Sequence, residues 1–79
     1  MSDGLSESLN VQLNGKPRSF AGLVSPVGLL QFVEAAGLHA DRIAVELNGE
    51  IAPRSKWAGV YVTEGDKLEI VHFVGGGTS

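Results

Sequence analysis

The sequence predicts an α+β roll, in which a mixed sheet of four to five strands carries one main helix across one face. Three observations predict it. Two Asn-Gly pairs, Asn14-Gly15 and Asn48-Gly49, each close an alternating apolar stretch and so mark two hairpins. Between the hairpins lies one apolar stretch at helical spacing. A final β-branched and aromatic segment, Lys67 to Val74, has no adjacent partner left and must pair with strands distant in sequence.

Taken in order, residues 1–8 are small and polar and read as a flexible leader, with the folded domain at 9–74 and a Gly-rich tail at 75–79. Leu9, Val11 and Leu13 alternate with Asn10, Gln12 and Asn14, the period of a half-buried strand. Its return strand is expected to be short, around Arg18 to Phe20, because Pro17 has no N–H to give a ladder and suits only a strand start or a sheet edge. Ser25-Pro26 reads as a helix N-cap with proline in the first helical position, and the helix runs from there to a capping Gly37. Val27, Leu30 and Val33, with Leu29, Phe32 and Ala36, fall at three- and four-residue spacings and form a broad apolar face. Gly28 weakens this helix by up to about 1 kcal/mol and reads as a point of close approach to the sheet.

After the helix, Ile43, Val45 and Leu47 alternate with Ala44 and Glu46, and the return strand is the short run around Glu50 to Pro53. Arg54 to Trp57 reads as a helical turn, followed by a brief extended piece, and Thr63 to Asp66 turns the chain into the last strand. The expected core is Val11, Leu13, Leu30, Val33, Ile43, Val45, Leu68 and Ile70.

Composition narrows the function. A chain of 79 residues with 43% hydrophobic and 19% charged residues is too apolar for disorder, too short for two cores, and lacks the run of about 18 apolar residues that a membrane span needs. With no cysteine, disulfides, Cys-ligated metals and a thiol nucleophile are excluded, and a reducing, cytoplasmic setting is expected. The net charge is −3 and the six Lys and Arg are scattered, so no basic stripe suits nucleic acid. His39 and His72 are not at metal-ligand spacing, and no nucleophile with its base stands out. Glu64, Asp66 and Glu69 gather near the last turn, either as a solvated face or as a handle for a basic partner.

The end of the chain carries the most pointed signal. In the last strand Leu68 and Ile70 share one face, while Glu69, Val71 and Phe73 share the other, where exposed apolar groups suit a partner surface. Gly75, Gly76 and Gly77 then follow without the spacing of a phosphate loop. Three residues without side chains can thread a narrow tunnel, reaching about 10 Å when extended.

The segments VQLNGKPR, IAVELNGEIAPRSKW and EGDKLEIVHFVGGG, in this order and spacing, resemble the ThiS family of sulfur carrier proteins of thiamin thiazole biosynthesis, over about residues 9–77. The resemblance implies a ubiquitin-like β-grasp fold and a carrier without catalysis of its own, binding no cofactor. In such carriers a ThiF-like adenylating enzyme uses ATP and magnesium to adenylate the C-terminal glycine. A sulfur donor linked to a cysteine desulfurase converts it to a thiocarboxylate, and a ThiG-like thiazole synthase takes the sulfur. Carried over, Gly77 is the sulfur-bearing residue, Gly75 and Gly76 its flexible lead-in, and Val71, Phe73 and Glu69 the partner-binding face. This chain departs from the pattern by continuing with Thr78 and Ser79: either these two residues are foreign to the carrier, or a peptidase, then a further expected partner, trims them, or this member has lost carrier activity and keeps only binding. A carrier of the MoaD type or another sulfur carrier, serving the molybdopterin or the cysteine pathway, and a β-grasp interaction module that transfers nothing stay open as alternatives.

Overall fold

The computed structural model describes residues 7–73. The expectations for residues 1–6, for Val74 and for the tail at 75–79 lie outside the described residues. Five strands form one mixed sheet in the order β2-β1-β7-β4-β5: β1 Ser8–Leu13, β2 Lys16–Ala21, β4 Ile43–Leu47, β5 Glu50–Ala52 and β7 Lys67–His72. A second, two-stranded pair joins β3 Val27–Gly28 to β6 Tyr61–Val62. The helix α1, Leu29–Ala35, packs on one face of the large sheet.

Both hairpins form where the Asn-Gly pairs place them. Asn14 and Gly15 take φ of 53° and 82°, and Asn48 and Gly49 take 53° and 87°. Two successive positive φ values give a turn whose twist matches that of the strands, and asparagine and glycine reach them with least strain. The first hairpin is longer than expected, pairing all of Ser8–Leu13 with Lys16–Ala21. Pro17 is accommodated because β2 is the outermost strand, where a missing ladder donor faces no neighbour.

β7 lies in the middle of the sheet. It runs parallel to β1 through Gln12↔Lys67 and Leu13↔Leu68, and antiparallel to β4 from Leu47↔Leu68 to Ile43↔His72. The last strand thus joins the two hairpins, as its isolation in the sequence required.

The helix begins later than the Ser25-Pro26 signal suggests. Val27 and Gly28 are claimed by the ladder with β6, pairing with Val62 and Tyr61, so the first helical residue is Leu29. The Ser25 hydroxyl does not cap the helix; it accepts the Glu64 N–H at 3.1 Å. Gly28 sits outside the helix, and a Cβ placed there would meet nothing within 4 Å, so no close backbone approach explains it. The shifted start also rotates the buried stripe. Leu29, Phe32 and Val33 are fully buried, with Ala36 half-buried beside them, whereas Leu30, expected in the core, is 44% exposed. At the C-terminus Gly37 (φ 79°) donates to Glu34 O and Leu38 to Val33 O, each at 3.0 Å, a Schellman cap.

The core between helix and sheet holds Leu9, Val11, Phe20, Leu29, Phe32, Val33, Ile43, Val45, Leu68 and Ile70, and the expected Leu13 is half-buried at its rim. Phe20 and Phe32 meet edge to face at 4.9 Å between ring centres. A 3-10 turn, Arg54–Gly59, brings Trp57 into the core, where its Nε1–H donates to Ala52 O at 2.7 Å and ties β5 to the body of the domain. No helix among the described residues is long and apolar enough to cross a membrane.

Candidate functional site

The candidate site is built on the two faces of β7. Alternation puts Leu68 and Ile70 into the core, at 1% and 8% exposure, and turns Glu69, Val71 and Phe73 to the opposite face. Val71 is 58% and Phe73 61% exposed, so neither Trp57, Tyr61 nor any other described residue covers them.

The register fixes what surrounds them. Glu69 lies directly opposite Glu46, and Val71 opposite Ala44. One strand further out Glu46 lies opposite Ile51, which is 71% exposed. The open face of the β4-β5-β7 corner therefore carries three exposed apolar side chains around two carboxylates. Facing like charges on neighbouring strands are unfavourable by roughly 0.2–1 kcal/mol. A partner cation placed over them would reverse the sign of that contribution. Two shallow depressions border this corner. One of 190 Å³ includes Asp41, Ala44, Ile51, Arg54, Trp57 and Phe73 in its lining, and one of 280 Å³ is lined by Glu46, Asn48, Gly49, Lys67 and Glu69.

Glu64, Asp66 and Glu69 do not form one patch. The Glu64 carboxylate is drawn to β1, where Oε1 accepts the Asn10 N–H at 3.0 Å and Oε2 the Asn10 Nδ2 at 2.9 Å. These two bonds, the backbone one first, hold its pKa below the ordinary 4.5. Asp66 accepts from Thr63 N at 2.8 Å and Asn48 Nδ2 at 3.1 Å, closing the turn that leads into β7. Only Glu69 belongs to the open face.

Two further residues hold β7 in place. Asn14 Oδ1 accepts the Ile70 N–H at 2.7 Å, and Asn48 Oδ1 accepts the Lys67 N–H at 3.0 Å, so each hairpin asparagine both makes its turn and grips the central strand. Their type and position were visible in the sequence as turn formers. The second role depends on which strand lies beside the turn. Glu46 and Ile51 had the right parity for the outer face, yet only the register shows that they flank Glu69. Among the described residues no group of three His, Asp or Glu side chains is placed to hold a metal ion.

Known proteins resemble this chain along most of its length. The model of the ThiS family matches residues 11–77. A protein of Paramagnetospirillum magneticum named thiazole synthase is 41% identical over 70 residues, covering 89% of this chain but 21% of its own length. The chain thus spans about a fifth of that relative. The ycf40 protein of Porphyra purpurea is 30% identical over 73 residues, covering 92% of this chain and 99% of its own. The crystal structure of the thiamine biosynthesis protein ThiS from Geobacter metallireducens superposes with a TM-score of 0.74 at 33% identity, over 87% of this chain and all of that one.

Proposed function

This chain belongs to the ThiS family, and on that premise we propose that it is a sulfur carrier of thiamin thiazole biosynthesis whose cargo rides on the carboxyl group of Gly77. A free carboxylate is a poor electrophile because its charge is shared over two oxygens. A ThiF-like enzyme, using ATP and magnesium, adenylates it by attack of the carboxylate on the α-phosphorus with loss of pyrophosphate. The mixed anhydride now has AMP as a leaving group. A persulfide sulfur supplied through a cysteine desulfurase displaces AMP to give an acyl disulfide. A thiol reductant cleaves its S–S bond, leaving the thiocarboxylate on Gly77 and a disulfide on the donor side, and the thiocarboxylate gives its sulfur to a thiazole synthase.

In this reading the chain contributes position and recognition, not catalysis. Val71, Phe73 and Glu69, joined by Ile51 and Glu46, form the docking face, and Gly75 and Gly76 present no side chains to the walls of the partner's active site. The observation that carries the reading is the family match running through Gly77, together with an exposed apolar face on the strand that leads toward it. The relative named thiazole synthase, which contains a segment like this chain, supports a thiazole synthase as the recipient. Thr78 and Ser79 must leave before Gly77 can be activated, and a peptidase removes them.

The test is intact-mass spectrometry of a form ending at Gly77 after incubation with the adenylating enzyme, ATP, magnesium and a sulfur donor. Exchange of one oxygen for sulfur at the C-terminus is expected, and the chain ending at Ser79 is expected to show none. A Gly77-terminated form that never exchanges would refute the carrier role.

A further inference from the structure

The backbone of β7 has two edges, and they are not equally occupied. Phe73 N donates to Arg42 O and Asn48 N to Lys67 O, so the odd-numbered residues of β7 turn their N–H and C=O groups to β4. The even-numbered residues turn theirs the other way. On that side Asn14 N donates to Leu68 O at 2.9 Å, and Asn14 Oδ1 takes the Ile70 N–H at 2.7 Å. There β1 ends in its hairpin, since its pairing with β7 reaches no further than Leu13↔Leu68. Beyond Asn14, among the described residues, no strand faces the Ile70 C=O or the N–H and C=O of His72.

The other edges of the sheet are blunted. β2 carries Lys16, Pro17 and Arg18, and β5 has three residues and is followed by Pro53. The open part of β7 has neither device; its residues are Ile70, Val71, His72 and Phe73.

We propose that this edge receives an extended segment of the adenylating partner, which adds as a sixth strand beside Ile70–Phe73. This deepens the carrier reading and rests on it for the identity of the partner. The spaced C=O, N–H and C=O groups at Ile70 and His72 are matched by another extended main chain, the recognition mode in which backbone bonds supply affinity and side-chain parity supplies specificity. The hairpin tip at Asn14-Gly15 sets where the added strand begins. Its outward side chains lie beside Val71 and Phe73 and are therefore apolar at alternate positions.

Proline at position 72 separates this edge from the fold. His72 is exposed and its N–H points away from β4, so His72→Pro removes the open donor without touching the β4 ladder. His72→Ala is the side-chain control. Val71→Pro, which deletes a donor facing β4, should lower the melting temperature where His72→Pro does not.

The form ending at Gly77 is titrated against the ThiF-like enzyme with ATP and magnesium, and amide exchange is followed in the free and bound states. His72→Pro is expected to melt close to His72→Ala and to bind at least tenfold more weakly than it, and the His72 amide of the unsubstituted chain to exchange at least tenfold more slowly in the complex. Equal binding by the two variants, or an unprotected His72 amide in a formed complex, overturns the added strand and leaves the carrier role standing. No binding and no adenylation of the unsubstituted chain overturns both. A dimer of this chain that His72→Pro dissociates assigns the edge to a second copy and overturns the proposal.

Discussion

Replacing Asn14 tests whether a turn residue also holds the central strand. Its side chain accepts the Ile70 N–H at 2.7 Å, and its φ of 53° is unfavourable for residues with a Cβ and no local polar compensation. Asn14→Gly keeps the backbone comfortable and removes only the acceptor. Leaving a partly buried donor without its partner costs about 1–2 kcal/mol, toward the lower end of the usual range because water reaches this edge. For a domain of this size that corresponds to a fall in Tm of about 5–15 °C. Asn14→Ala adds about 1–2 kcal/mol of left-handed strain to the same loss. Asn14→Asp keeps an acceptor and should stay close to the unsubstituted chain. Urea unfolding followed by fluorescence of Trp57, the sole tryptophan and a buried one, reads all three. If Asn14→Gly falls within about 0.3 kcal/mol of the unsubstituted chain, the bond to Ile70 contributes nothing and Asn14 is a turn former alone.

Four further outcomes are expected. Because hydrogen bonds from Asn10 hold the Glu64 pKa below 4.5, the group binds fewer protons folded than unfolded; its contribution is present above 4.5 and is lost as pH falls through the lowered folded value. Glu64→Gln should flatten the acid limb of a stability-against-pH curve, and an unchanged limb would refute the assignment. Phe32→Ala, at a fully buried position, should cost about 3–5 kcal/mol by urea unfolding, and Leu30→Ala, at 44% exposure, less than about 1 kcal/mol; similar losses at the two would mean the helix is rotated from the position seen. Phe73→Asp should leave Tm within a few degrees and slow adenylation at least tenfold, while Glu46→Gln should raise stability by a few tenths of a kcal/mol by relieving the facing carboxylates. Adenylation of Phe73→Asp at the normal rate would remove Phe73 from the docking face.

What could be read from the sequence was what local chemistry decides. The two Asn-Gly turns require positive φ and nothing distant, so both hairpins appear where expected. Alternation along Lys67 to Phe73 correctly placed Val71 and Phe73 on the exposed face. The helix starts later than expected because Ser25-Pro26, a sound local signal, is overruled by pairing of Val27 with Val62, thirty-five positions away. That displacement carried Leu30 out of the core and hid Leu29 and Phe32 as the residues that fill it. Glu46 and Ile51 were missed for a related reason: parity is written in one strand, whereas register is a relation between two.

The same relation separates stability from recognition within one strand. Around Ile70–Phe73 an even-numbered residue sends its side chain to the helix-covered face and its backbone groups to the open edge, while an odd-numbered residue sends its side chain outward and its backbone groups to β4. Side chains and backbone therefore exchange roles at each step. Truncating Ile70 removes core packing, yet changing Val71 or Phe73 leaves the core untouched; proline at 71 breaks the fold's own ladder, yet proline at 72 does not. On the proposed reading, a carrier passed among several enzymes needs a surface that can be read without being loosened. A central strand bounded on one side by a hairpin that ends early would provide it, since the backbone groups open at its edge are those that the described fold does not use.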